Sequence, residues 1–295
     1  MTREPTIFPV LVTGATGNVG SQVVELLLTA GVPVRAAAGT VESIRARFGD
    51  RVEAVALDFT DASTWAAAFT GIQRMFLMRP PHLGKPKTQM LPSLEAAKAA
   101  GVEHVVLLSL QGAEHNTVVP HHALEVWLRE SELSWTFVRA AFFMQNLTTT
   151  HLTDVRDRGT IMVPAGNGAT AFVDVRDVAA VATDALLHPD QHHNASWTPT
   201  GPQALTYAQI ATTLTGVLGR PIRYARPGLL RYARHARTVL DMPWGMVGVT
   251  CAIYTIARVG RAGGLTDDVN TVTGHHPTSF HDFAERESTT WTLTP

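Results

Sequence analysis

The chain has 295 residues, 45% hydrophobic and 17% charged, which is enough apolar material for a large α/β core. Its 24 Lys and Arg against 25 Asp and Glu leave a net charge of −1, so no global field draws in nucleic acid or an anionic membrane, and neither is expected as a partner. The single cysteine, Cys251, excludes an intramolecular disulfide, suits a reducing, cytoplasmic setting and reads as core filler.

MTREPTIFPV, at the start, has no apolar stretch of signal-peptide length. The run 7–13 predicts a buried strand that stops at the sequence GATGNVG. Beyond it Val19, Val23, Leu26, Leu27 and Ala30 recur at three- and four-residue steps, which predicts a helix over 19–30 with Gly31 as its left-handed stop. Gly14 allows a tight turn, Gly17 lets backbone approach phosphate oxygens, and Gly20 lets the helix pack closely. With Thr16, Asn18 and Val19 they form a loop at a helix N-terminus, the shape of a dinucleotide pyrophosphate site.

Apolar runs then alternate with helical patterns. Strands are predicted at 32–38, 52–58, 74–78, 105–110 and 135–138, with helices at 41–48, 62–69, 88–100 and 123–131. Such alternation predicts a parallel sheet covered by helices on both faces. Past residue 148 the rhythm breaks. A strand and turn over 172–177 feed a helix over 178–187, with Asp174 or Asp177 at its start. A short strand follows at 194–199, then a helix over 206–218 opened by Thr206, and an extended piece at 221–225. A helix over 229–240 carries Arg231, Arg234 and Arg237 on what reads as a solvated face. The most membrane-like stretch, 242–257, contains Pro243 and Gly245 and falls short of the roughly 20 apolar residues of a span, so it reads as a buried or lid helix. The expected fold is a doubly wound parallel α/β sheet with a smaller appended subdomain. Residues 1–147 form the core, and 148–295 complete it over about 170–200 and build the smaller domain.

Ligands of open α/β sheets bind beyond the carboxyl ends of the strands, so the residues ending each strand form one candidate surface. They are Gly39 and Thr40, Asp58 and Phe59, Arg79 with Pro80 and Pro81, Ser109, and the stretch from Arg139 to Asn146. Asp58 can accept from an adenine amino group beside Phe59, or cap its own loop. Pro80 and Pro81 fix an extended loop suited to lining a flat ring, or simply a rigid one. Ser109 orients a substrate oxygen or bonds to backbone. Phe142, Phe143 and Asn146 offer an apolar wall with amide polarity for a flat substrate, although packing would use the same phenylalanines. The adjacent pairs His121-His122, His192-His193 and His275-His276 diverge on a helix, and no metal is expected.

GATGNVG, Arg79-Pro80-Pro81, the VVLLS run ending at Ser109, His121 and His122 leading to Glu125, LSWTFVRAAFFMQN from Leu133 and FVDVRDVA from Phe172 resemble the NmrA-like members of the atypical short-chain dehydrogenase/reductases, and so does the tail HHPTSFHDFAERESTTW. The resemblance implies a Rossmann-type doubly wound α/β sheet with a smaller C-terminal α/β substrate domain, and NAD(P)H-dependent reduction of quinones, aromatic compounds or related conjugated small molecules. For some members it implies redox sensing without turnover, so a cofactor-sensing regulator is the alternative reading. A homodimer is left open.

Two departures stand out. In many relatives an arginine ending the second strand grips the NADPH 2′-phosphate, and Gly39 stands there in this chain. No NAD-selecting acid replaces it, so NADP(H) is favoured and NAD(H) remains open, with Arg35, Thr40, Ser43 and Arg45 as candidate phosphate partners. The second departure is catalytic: there is no Tyr-x-x-x-Lys, and the aligned positions hold Thr117 and His121. Hydride transfer to a quinone, enone or iminium delocalises or cancels charge and needs no strong protein acid. His121 or His122 could supply a proton because imidazole titrates near neutrality, or both could be solvated residues at a helix start. His121 and Ser109 are therefore the catalytic candidates, and His122 lines the expected substrate pocket.

Overall fold

The computed structural model describes residues 8–292. Residues 1–7, which carry the predicted start of the first strand and most of the signal-peptide reading, lie outside the described residues. The chain divides into two units. One contains the residues up to Ala140 together with Val175–Pro199 and Thr271–Gly274; the other contains Ala141–Asp174, Thr200–Asn270 and the residues from His275 onward.

In the first unit β1 (Val10–Thr13), β2 (Val34–Ala38), β3 (Glu53–Ala56), β4 (Arg74–Met78), β5 (His104–Leu110), β6 (Ser134–Ala140) and a seventh strand, Ala195–Trp197, form one parallel sheet. Its order is β3-β2-β1-β4-β5-β6 followed by the seventh strand. Every residue of β1 and all but the last of β5 are buried, the continuous apolar character of strands covered on both faces. One face carries Leu11, Phe69, Leu77, Leu107, Leu124 and Phe137 in a shared core. On the other, helix α1 (Asn18–Thr29) buries Val19, Val23, Val24 and Leu27 and packs beside helix Val175–Leu187. The chain runs outward from β1 through β2 to β3 and returns on the opposite side at β4, so strand order reverses between β1 and β4. In this fold class that reversal opens a crevice at the strands' carboxyl ends.

The differences from the sequence reading are local. The helix expected over 88–100 is two pieces, Pro86–Gln89 and Leu91–Ala99, because Pro92 has no N–H to continue the ladder and begins a new first turn. The helix expected from 123 starts at Pro120, a residue pre-set for a first helical position, which puts His121 and His122 in its first turn. The strand expected from 172 is Ala169–Val173 and belongs to the second unit, with helix Val175–Leu187 starting just past Asp174.

The second unit holds a three-stranded sheet. Ala169–Val173 is central, Ala204–Thr206 is antiparallel to it and Phe142–Phe143 parallel, and a separate parallel pair joins Thr160–Ile161 to Arg223–Tyr224. Helix Tyr207–Leu218 starts where Thr206 and Gln209 cap each other reciprocally and stops at Gly219, φ +61°. An aromatic core of Phe172, Tyr207, Tyr232, Tyr254, Phe283 and Trp291 fills the unit. Helix Trp244–Arg258 is neither buried all round nor unpacked. Val247, Tyr254 and Ala257 face that core with half-buried Cys251 beside them, while Trp244, Val249, Ile253 and Ile256 are exposed. Among the described residues no helix is long and apolar enough to cross a membrane.

Candidate functional site

The glycine turn closes β1 at the reversal point, and each glycine has a separate steric reason. Gly14 lies at φ +61° and a Cβ there would stand 2.2 Å from Met78 Cε, so the turn rests directly on the end of β4. Gly20 cannot carry a side chain because its Cβ would sit 2.3 Å from the Gly14 carbonyl oxygen; the close approach is to the turn itself rather than to the sheet at large. Gly17 is the N-cap of α1 in extended conformation, and a Cβ would meet only the Gly14 oxygen at 3.2 Å and the Met78 terminus beyond it. The exposed Asn18 opens the helix, and buried Val19 anchors it to the core, leaving the first-turn N–H groups pointing out of the turn. Thr13 ties the two strands together: Thr13 Oγ1 donates to the Phe76 carbonyl at 3.0 Å and accepts from Met78 N at 2.9 Å.

An arginine that the sequence reading passed over reaches this turn. From the second helix, α2 (Val41–Phe48), Arg47 donates to the Thr16 carbonyl at 3.3 Å and to Ser21 Oγ at 2.8 Å. Side chains on a helix lean toward its N-terminus, which carries the guanidinium back up to the ligand end of the sheet. Arg35, a candidate phosphate partner by sequence, is spent elsewhere. It ion-pairs with Glu53 at 2.8 Å and donates to the carbonyls of Ala68 and Thr70, at a distance set by its place early in β2. Gly39 is exposed with open space around it, and Thr40 Oγ1 caps α2 by accepting from Ser43 N at 3.4 Å.

At the end of β3, Asp58 Oδ1 accepts from the Thr60 amide at 2.8 Å and hydroxyl at 2.7 Å, bonds that hold its carboxyl below the usual range. That is the loop-capping alternative, and Oδ2 is the oxygen left for an adenine amino group. Phe59 is 5% exposed and packed into the core, so its ring does not line an open edge. After β4, Arg79 Nη1 donates to the carbonyls of Pro80, Pro81 and Leu83 and so winds its loop around itself. Its Nε is buried without a partner, and burial lowers its pKa.

A buried polar cluster occupies the ends of β5 and β6. The Glu125 carboxylate, fully buried on helix Pro120–Glu130, accepts on Oε1 from Ser109 Oγ at 2.7 Å and Arg139 Nε at 3.0 Å. Oε2 accepts from Arg139 Nη2 at 2.7 Å and Arg129 Nη2 at 3.1 Å. Burial pushes the carboxyl up, but the Arg139 and Ser109 hydrogen bonds and the two arginine charges outweigh it, and the pKa is lowered. Ser109 is therefore neither a backbone tie nor a free catalytic hydroxyl: its proton is directed into a carboxylate. One helical turn before Glu125, on the same face, lies His121. Its Nδ1 is buried and unpartnered, and burial together with the neighbouring Arg79 charge, against a smaller upward pull from Glu125, lowers its pKa to about 4. The imidazole is neutral at pH 7 and is not the near-neutral titrating acid expected from its residue type. His122 is not simply solvated either, since its Nδ1 bonds the Ala113 carbonyl at 2.9 Å, an acceptor that requires Nδ1 to carry the proton. Thr117 is exposed and precedes Pro120, so Thr117 and His121 share no helix, unlike a tyrosine–lysine pair four residues apart.

The substrate-wall candidates belong to the second unit. Phe142 packs its ring edge-on to Phe172 at 5.6 Å and near Tyr254 at 5.8 Å, a core role. Phe143 and Asn146 are half-buried. Between them Gln145 donates to buried Asp174, which also accepts from Arg286. Among the described residues, the side chains grouped closely enough to share a cation are His281, Asp282 and Glu285, an exposed surface trio and none of the adjacent histidine pairs.

This fold and glycine turn define a Rossmann-type nucleotide-binding protein, and the chain belongs to the NmrA-like family, whose family model matches residues 9–235. It is 36% identical over 284 residues to an NAD(P)H azoreductase of Xenophilus azovorans, covering 94% of this chain and 96% of that one. It is 32% identical over 282 residues to a (4-alkanoyl-5-oxo-2,5-dihydrofuran-3-yl)methyl phosphate reductase of Streptomyces griseus, with 93% and 96% covered. Among solved structures it resembles the triphenylmethane reductase of Citrobacter sp. complexed with NADP(H), at 25% identity and TM-score 0.82, covering 95% of this chain and 99% of that one.

Proposed function

We propose that this chain is an NAD(P)H-dependent reductase of the cytosol that passes hydride to a flat, conjugated small molecule whose electron system absorbs the charge. The observation that carries the reading is the glycine turn seated on Met78 at the β1–β4 reversal, in a chain whose relatives are named reductases of azo, oxodihydrofuran and triphenylmethane compounds. A reduced nicotinamide supplies the hydride when bound. The residues from Gly14 to Val19 fit a pyrophosphate, since Gly17 offers backbone without a side chain at a helix N-terminus. Gly39 and Thr40, with Asp58 Oδ2, would hold the adenosine end, and the loop held by Arg79 would border the nicotinamide.

The polar cluster argues for the acceptor class. Glu125 is ionised and has four donors on its two oxygens, the Ser109 hydroxyl points into it, and His121 is neutral. None of these groups is a strong acid at pH 7. Reduction of a simple ketone, which generates an alkoxide, would lack the proton that a tyrosine–lysine pair provides. A quinone, an azo compound or a cationic triarylmethane delocalises or cancels that charge, and water can complete protonation. Phe143 and Asn146 are proposed to contact the substrate.

The test is single-turnover oxidation of NADPH by the purified full-length protein against quinones, azo dyes, enones and simple ketones. Oxidation by conjugated acceptors with simple ketones inert supports the proposal. Cofactor binding without oxidation by any acceptor would favour the sensing regulator instead.

A further inference from the structure

Arg79 is a cation that the chain leaves without a counter-charge. Its Nη1 donates to the carbonyls of Pro80, Pro81 and Leu83 at 2.9, 3.1 and 3.0 Å, neutral acceptors that hold the loop but do not balance the charge. Its Nε is buried with no acceptor. Burial lowers its pKa and no acid raises it again. Other shielded guanidinium groups are treated differently: Arg35, Arg139 and Arg286 pair with Glu53, Glu125 and Asp174. Among the described residues, Arg79 pairs with no carboxylate and its Nη2 has no acceptor.

Arg139 displays the contact that Arg79 lacks. Its Nε and Nη2 donate side by side to the two oxygens of Glu125, at 3.0 and 2.7 Å, along the two-pronged edge that a guanidinium offers a planar oxyanion. On Arg79 the same edge, Nε and Nη2, is the one without an acceptor, because only Nη1 is engaged by the loop. Its position is equally telling. Arg79 follows Met78, on which Gly14 rests where strand order reverses between β1 and β4, so it stands at the ligand end of the sheet. Neighbouring His121 is neutral, and Glu125 is already shared by Ser109, Arg129 and Arg139, so neither supplies the missing charge. The turn from Gly14 to Val19 has its own backbone donors for a pyrophosphate, which leaves Arg79 for the other reactant.

We infer that Arg79 binds a carboxylate, sulfonate or phosphate carried by the conjugated acceptor, so that the site selects anionic substrates. The inference rests on the reductase reading proposed above and names the substrate class of that site. Its test is isothermal titration of the full-length chain, saturated with NADP+, with 4-(phenylazo)benzoate and with its methyl ester, which share a chromophore and differ by one charge. The carboxylate should bind about tenfold or more tighter than the ester, and Arg79→Gln should erase the difference. If Arg79→Gln fails to fold, Arg79→Lys decides: it keeps the charge without the two-pronged edge and should narrow the difference. Equal affinities in the parent, or a difference that survives these substitutions, would overturn the inference. So would an NADPH affinity that falls in Arg79→Gln by as much as the carboxylate affinity does, since the charge would then serve the cofactor phosphates. Binding is read without turnover, so a carboxylate preference in a chain that oxidises NADPH with neither compound would refute the reductase reading and uphold the anion site.

Discussion

Ser109 Oγ and Glu125 Oε1 are 2.7 Å apart in a fully buried setting, with the serine as donor and the glutamate also held by Arg139 and Arg129. This pair turns the end of β5 into a brace between sheet and helix. A buried carboxylate so supplied is stable only while all its donors remain, so its energetic weight appears when one is removed.

Glu125→Gln is expected to cost about 3–5 kcal/mol, because it leaves the Arg139 charge with only the Glu114 carboxylate, 3.4 Å away, whereas Ser109→Ala should cost about 1–3 kcal/mol. Urea unfolding of the two variants checks the order. Ser109→Ala should also keep single-turnover oxidation within about tenfold of the parent, and a loss of 10² or more would restore a chemical role to the hydroxyl.

Several depressed groups shape the pH dependence of stability: Glu125 among the carboxylates, and three histidines, His104, His121 and His151, which burial holds at about 4. The Glu125 carboxyl titrates lower in the folded chain than in the unfolded one, so its contribution is present above the ordinary glutamate range and is lost as pH falls through the folded value. His121 binds its proton at about 4 when folded against 6.5 when free, so between these values the unfolded chain holds more protons and stability falls as pH falls. Melting temperature should decline from about pH 6.5 downward, and His121→Gln should flatten the upper part of that slope. An unchanged slope would mean that the imidazole is not buried in solution. The rate of hydride transfer should likewise show no limb from His121 between pH 6 and 8.

The two neighbouring glycines should separate binding from folding. Gly17→Val introduces no φ strain and only one tight contact, so the fold should persist while nicotinamide fluorescence titration shows cofactor binding lost. Gly20→Ala drives a methyl into the Gly14 carbonyl and should lower the melting temperature by several degrees. Retained affinity in Gly17→Val would place the pyrophosphate elsewhere.

How much of this was readable from sequence depends on the range of the interaction. The glycine turn, the strand order's alternation and the Thr206 cap are local, and periodicity and residue type carry them, as β4 at Arg74–Met78 and α2 at Val41–Phe48 illustrate. What sequence could not carry is pairing across the sheet. Arg35 and Arg47 look alike in composition, yet one is drawn to Glu53 and the other to the glycine turn. His121 owes its neutrality first to burial set by tertiary packing and then to Arg79, 42 positions away in sequence. The available hint was the coincidence of Ser109 and Arg139 at the ends of adjacent buried strands with Glu125 on the connecting helix, residue types that rarely enter an interior unpaired.

Cofactor choice should be a modest preference. Gly39 gives a 2′-phosphate room without charge, Arg35 is committed, and Arg47 is the cation nearest the turn in the hydrogen-bond pattern. NADPH and NADH affinities should differ by less than about 3 kcal/mol, the yield of at most two charge-assisted contacts. Arg47→Ala should narrow the difference further, measured by competitive fluorescence titration, and a strong NADH preference would contradict the account of the β2 end.

Substrate chemistry gives the sharpest separation. If a delocalised acceptor takes hydride without a strong protein acid, His121→Ala should slow single-turnover oxidation by less than about tenfold, against the roughly 10²–10⁴-fold loss of an essential general acid. The same variant should leave the ratio of rates across quinones and azo dyes unchanged, because a neutral imidazole holds no charge that one acceptor would need more than another. Asn146→Leu should alter that ratio instead, since removing one amide from a half-buried position penalises acceptors that hydrogen-bond and spares those that do not. Simple-ketone reduction that depends on His121 would overturn the delocalised-acceptor mechanism, because it would require the imidazole to be protonated at a pH where its surroundings hold it neutral.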